Sequence, residues 1–159
     1  MRIPIGPIIV SVFAVVWVAM GARGLGCRAF SALLTAALLI SLGLIYTCAH
    51  IRPAHPAAFH PKPYAIAVSA EVFLIMAAVV VLRRTNRKHL LLPIISIIVG
   101  LHFFGMVPAL GSNLYWWIGG AMCLLPLLAI SILPQSLWQP VVGLGCALIL
   151  WSAVICAFF

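Results

Sequence analysis

The sequence predicts an all-α, polytopic transmembrane helix bundle of about six spans joined by short loops. Three observations predict it. The chain has 159 residues, 66% of them hydrophobic and only 6% charged, whereas ordinary soluble chains are about 25% charged. The apolar residues fall in runs of roughly 20, the length that spans a hydrocarbon core about 30 Å thick. Proline, glycine, arginine and lysine gather in the breaks between those runs. So few charges cannot coat a surface facing water, but lipid can be the solvent instead. Spans of this length use most of the chain, which leaves no room for a soluble catalytic or binding domain. Residues 1–159 are therefore expected to form a single integral membrane domain.

The first span is placed at about 3–22, after Arg2 and before the break Gly21-Ala-Arg-Gly-Leu-Gly-Cys-Arg28. A basic start and an apolar run also describe a secretory signal peptide. This run is longer than the usual h-region of about 7–15 residues, and another span follows directly, so a retained helix is expected. The second span is placed at 29–49 and is followed by the Pro- and His-rich loop His50–Pro63. The third, 64–82, is closed by Arg83, Arg84, Arg87 and Lys88. The fourth, 90–110, ends at the turn Gly111-Ser-Asn113. The fifth, 115–133, opens on Tyr115-Trp116-Trp117 and ends before a turn over Pro134–Pro140. The sixth is placed at 141–159.

Aromatic and proline placement supports these boundaries. Tyr46, Tyr64, Tyr115, Trp116, Trp117 and Trp138 fall at predicted span ends, where amphipathic rings favour the headgroup zone. Pro4, Pro7, Pro93 and Pro140 lie in or just before predicted first turns, where a missing N–H costs little. Pro108 and Pro126 lie deeper and are expected to kink their helices. Small residues spaced by four, Ala32/Ala36, Ala37/Ser41 and Gly143/Ala147, are candidate close-approach sites between helices. Spans 1–3 and 4–6 would form halves of inverted topology, but no sequence echo links them.

The formal net charge is +8. In a soluble chain that would point to nucleic acid. Here the basic residues sit in short loops, where they act as topological signals and meet anionic headgroups, so no nucleic-acid partner is expected. Arg23, Arg28, Arg83, Arg84, Arg87 and Lys88 fall on one side, and Arg2, Arg52 and Lys62 on the other. The richer side should be cytoplasmic. Both termini and the histidine loop would then face outward, into the periplasm if the membrane is the inner membrane of a Gram-negative cell.

Glu71 is the only acid in the chain and lies inside the third span. An acid in hydrocarbon is costly, and such residues face the bundle interior and mark function by default. At 1.5 Å per residue, Glu71 lies about 10 Å below the outer boundary on span three, and His102 about 12 Å below it on span four. A direct Glu71–His102 contact is expected. One reading is a proton relay or substrate-binding pair. The other is a polar clasp between two helices, worth about 1 kcal/mol or less.

Metal chemistry has weaker candidates. His50, His55 and His60 lie in the outer loop, with Cys48 just before it. Imidazoles suit zinc, copper or nickel, but a spacing of five matches neither a helical pair nor a finger pattern, and no carboxylate stands by to orient them. The alternative is a proline-stiffened loop with interfacial histidines. No cofactor is implied.

Five cysteines, Cys27, Cys48, Cys123, Cys146 and Cys156, include no Cys-x-x-Cys, which argues against a thiol oxidoreductase. Cys48 and Cys156 fall near the same predicted face and are the one candidate disulfide. Cys123 and Cys146 read as small hydrophobes. With one acid and no Asp, paired-carboxylate, two-metal and Ser-His-Asp mechanisms are excluded, as are P-loop mechanisms for want of the glycine-rich loop. A Ser–His–Glu set stays open.

Glu71-Val72, Val81-Leu-Arg-Arg84, Pro93, Val99-Gly100-Leu-His102-Phe-Phe104, Gly119 and Val142–Trp151 together resemble uncharacterised bacterial multi-span integral membrane proteins that carry a Gly-Leu-His-Phe element. The resemblance covers somewhat over half the chain and implies a fold type, and that Glu71 and His102 matter, but no reaction. Three readings of function follow. The first is a non-enzymatic protein of proton-coupled transport or sensing centred on Glu71 and His102. The second is a structural or accessory subunit. The third is a metal- or haem-binding membrane enzyme. Expected partners are the lipid bilayer and a second copy or another membrane subunit.

Overall fold

The computed structural model describes residues 5–50 and 60–157, with side chains from residue 8 onward. Arg2, Pro4, Arg52 and His55 lie outside the described residues. Within them the chain forms six α-helices and no strand: α1 (Ile5–Ala22), α2 (Cys27–His50), α3 (Pro61–Arg84), α4 (Leu91–Leu110), α5 (Leu114–Ile132) and α6 (Gln135–Cys156), with a short 3₁₀ turn at Lys88–Leu90 before α4. α2 to α6 are each long and apolar enough to cross a membrane. α1 is 18 residues of equally apolar sequence, at the short end of what a span requires. Helices are what such a chain must form, because hydrocarbon offers a backbone N–H no partner except its own carbonyls.

Two helix starts differ from expectation, both at prolines. The expected loop to Pro63 is shorter, because α3 takes Pro61 and Pro63 into its first turn. There the absent N–H would have gone unpaired anyway. The expected turn over Pro134–Pro140 contracts to its first residues, because α6 begins at Gln135 and carries Pro140 inside it. Proline at that depth forfeits the bond its amide would have made to the Ser136 carbonyl. The turn itself is held by the Trp138 indole, which donates to the Leu133 carbonyl at 2.9 Å. The Gly111-Ser-Asn113 turn stands as expected. Gly111 takes φ +66° and its N–H caps α4 on the Val107 carbonyl.

The chain divides into two compact units, residues 1–56 with 139–159, and residues 57–138. This grouping differs from sequential halves, because α6 returns to α1 and α2.

In the first unit, α1 buries Ser11, Ala14, Trp17, Val18, Gly21 and Ala22, a stripe at helical spacing. α6 answers with Val142, Gly143, Cys146, Ala147, Leu150 and Trp151. The two backbones touch at Gly21 and Gly143, where a Cβ added to Gly21 would meet the Gly143 Cα at 2.8 Å. Gln139 Nε2 donates to the Met20 carbonyl at 3.3 Å beside that crossing. α2 joins through a buried polar junction. The Trp151 indole donates to Ser41 Oγ at 3.1 Å, and Ser41 donates to the Ser11 carbonyl at 3.1 Å. Cys48 packs with Val154, Val10 and Leu44. Of the small-residue pairs, Ala37/Ser41 and Gly143/Ala147 are buried, whereas Ala32/Ala36 lies on an exposed face of α2 and joins nothing in this unit. The candidate disulfide is not formed, since Cys48 and Cys156 are both free thiols.

In the second unit, α4 lies against both α3 and α5. The α4–α5 seam is reciprocal. Ser96 Oγ donates to the Met122 carbonyl at 2.8 Å, and Cys123 Sγ reaches the Ile97 carbonyl at 3.6 Å. Gly100 and Gly119 meet there, and a Cβ on Gly119 would press the Gly100 carbonyl at 2.7 Å. Lipid tails are as apolar as leucine, so helices associate through such close packing and interhelical hydrogen bonds rather than through exclusion of water.

Gly119→Val should therefore cost about 1–3 kcal/mol by forcing the seam apart. Gly120, whose added Cβ meets nothing within 4 Å, should accept alanine with no loss, or with a gain of up to about 1 kcal/mol from helix propensity. Unfolding of both variants in detergent micelles measures the contrast.

Candidate functional site

Two helix positions bring the site together. A Cβ added to Gly105 on α4 would meet the Ala67 Cβ on α3 at 3.1 Å, so the helices run close there. Farther out, the His60 N–H donates to the Ala109 carbonyl at 2.8 Å and ties the start of α3 to the end of α4. The helices are antiparallel, so one turn onward along α3 from Ala67 faces one turn back along α4 from Gly105. Those steps arrive at Glu71 and His102.

The two side chains meet. His102 Nδ1 lies 3.3 Å from Glu71 Oε2, with side-chain exposures of 8% and 18% respectively. Nδ1 is within ion-pairing reach but has no aligned hydrogen-bond partner. Phe103 stands edge-on to the imidazole, with ring centres 5.8 Å apart, and stacks on Tyr115 at 6.1 Å. Around Glu71, α3 presents Val72, Phe73, Leu74 and Met76 as exposed apolar side chains. The carboxyl thus sits on an otherwise lipid-like helix, turned towards the one imidazole on its neighbour. Since α3 begins at Pro61, Glu71 lies about 15 Å along a helix about 36 Å long. His102 lies about 12 Å from the Leu110 end of α4.

An acid and an imidazole in contact can share, store or pass a proton, and they can also hold two helices in register. The structure does not gather the remaining candidates with them. His50 ends α2, with Nδ1 2.8 Å from the Tyr46 carbonyl and its ring on Tyr46 at 4.3 Å. His60 precedes α3 as its N-cap. His55 lies outside the described residues. Among those described, no group of three His, Cys, Asp or Glu side chains converges as a metal site.

Sequence reasoning passed over the Ser11–Ser41–Trp151 junction. The signal available for it is Trp151 itself, an indole more than a turn inside α6 rather than at its end, a position it shares with Trp17 in α1. A buried indole N–H usually has a partner. Compared with family models, curated proteins and solved structures, the chain matches none.

A double-mutant cycle on Glu71→Gln and His102→Gln should return a coupling of about 0.5–1 kcal/mol in unfolding free energy, the usual size for a polar pair between membrane helices. Additive single effects would mean that the two side chains do not interact.

Proposed function

We propose that this chain is a multi-pass protein of the bacterial cytoplasmic membrane in which Glu71 and His102 form a proton-handling centre for coupled transport or sensing. The observation that carries the reading is the 3.3 Å approach of the sole acid to an imidazole within apolar helices. An unneeded acid at that depth would be a pure cost. The Gly-Leu-His-Phe element that underlies the family resemblance is also the stretch that delivers His102 to the pair. The basic residues that support orientation, Arg23, Arg28, Arg83, Arg84, Arg87 and Lys88, are all exposed, which suits cytoplasmic loops.

A second reading has its own support. The pair lies one turn from the tight Gly105–Ala67 approach, where a polar clasp would set the register of α3 on α4 in a structural or accessory subunit. The two readings differ in what Glu71→Gln removes. Under the first, the purified variant in proteoliposomes keeps its fold while proton-dependent flux falls by about a hundredfold, the low end of what a positioned proton-transfer group contributes. Under the second, thermal stability drops and flux does not.

Orientation has a test in the native cysteines. Gln139 on α6 bonds to Met20 near the end of α1, and α6, 22 residues long in all, runs on from there to Cys156. Val154 packs on Cys48 near the far end of α2. Cys27 and Cys156, both exposed, thus lie at opposite ends of this unit. A membrane-impermeant maleimide on intact cells should label Cys156 and spare Cys27 until the cells are permeabilised. The reverse pattern would invert the proposed orientation.

A further inference from the structure

Where α3 ends and α4 begins, Leu82, Arg83, Lys88 and Leu91 line a pocket of about 330 Å³, at the low end of the range of roughly 300–1,000 Å³ that holds small ligands. Its chemistry is divided. Leu82 is buried and Leu91 half-buried, giving an apolar floor, while Arg83 and Lys88 are exposed cations at its mouth. The turn between them is built for this placement. Thr85 caps α3 with its N–H on the Val81 carbonyl, and Asn86 takes φ 58°. The Arg87 N–H then folds back onto the Leu82 carbonyl at 2.9 Å. Lys88 thereby returns beside Arg83 instead of continuing away from the helix. The chain's single acid, Glu71, lies more than three helical turns back along α3, so no side-chain anion of this unit neutralises the pair.

The geometry points to a binding site for the phosphate headgroup of one anionic phospholipid, held between Arg83 and Lys88 with its glycerol backbone against Leu82 and Leu91. Arginine forks onto phosphate oxygens, and lysine adds a point charge. A lipid is favoured over free phosphate by what surrounds the pocket. It sits at the ends of two membrane-length helices, where headgroups would lie, and one turn back along α3 from Arg83 the helix carries the exposed apolar Val80. An acyl chain has a surface to follow there, and a free phosphate gains nothing from it. Arg84 and Arg87 are exposed on the same turn but do not line the pocket, so they belong to the diffuse surface charge.

Native mass spectrometry of the full chain in detergent, titrated with phosphatidylglycerol, tests the site. One lipid should be retained per chain, with phosphatidylcholine held far less. Each cation near a headgroup is worth roughly fivefold in binding, so Arg83→Gln with Lys88→Gln should weaken retention by about 25-fold or more. Arg84→Gln with Arg87→Gln should weaken it by less than about fivefold, and Arg83→Lys with Lys88→Arg should keep most of it. Circular dichroism of each variant confirms that the helices are intact. Equal losses in the two Gln pairs would reduce the site to diffuse surface charge. Equal retention of phosphatidylcholine would leave only an apolar groove. Displacement of the lipid by millimolar inorganic phosphate would assign the site to the free anion. Any of these, or no retained lipid, overturns the proposal.

Discussion

In hydrocarbon a backbone amide has no water to fall back on, and the rest of this structure follows from that constraint. It makes every long described segment a helix. It also makes the carbonyls of neighbouring helices the most accessible acceptors for any polar side chain. Ser41, Ser96, Cys123 and Gln139 each use a carbonyl on another helix. A side chain without such an acceptor must find a rarer partner. Glu71, which needs a donor, is set against His102.

Those interhelical bonds form only where backbones come close, and glycine makes that approach at two of the three seams they cross. Gly21 with Gly143 joins α1 to α6, and Gly100 with Gly119 joins α4 to α5. In each case the hydrogen-bonded side chain lies within about a turn of the glycine contact. The glycine supplies proximity and the hydroxyl, thiol or amide supplies direction. The α3–α4 seam follows the same scheme, with Gly105 on Ala67 and the Glu71–His102 pair one turn on. That shared layout is why structural and proton-handling roles for the pair are close competitors: the same geometry serves both.

Much of this is legible in the sequence, for physical reasons. Span number follows from composition, because lipid tolerates few charges. The Glu71–His102 contact follows from depth, because the boundary fixes where consecutive antiparallel helices begin and end. Less legible is whatever depends on partners distant in sequence. Ser41 and Trp151 are 110 residues apart, and no local pattern announces their bond. The partner of Gly143 was likewise hidden: its spacing with Ala147 marks a close-approach face on α6, but nothing local ties that face to Gly21 on α1. Prolines misled at Pro61, Pro63 and Pro140, because a proline early in a helix and a proline in a turn read alike until the neighbouring capping groups are placed.

The central claim is that Glu71 and His102 act as one proton-sharing unit. The composition makes it unusually accessible to infrared spectroscopy, because the chain has one side-chain carboxyl, and Glu71→Gln removes its band. Difference spectra of the protein in lipid, stepped through a pH series, should show that carboxyl band changing together with the imidazole ring modes that His102→Gln removes. In His102→Gln the carboxyl transition should move to a different pH. A carboxyl band that is unaffected by the loss of His102 would contradict the account and leave Glu71 as an isolated group.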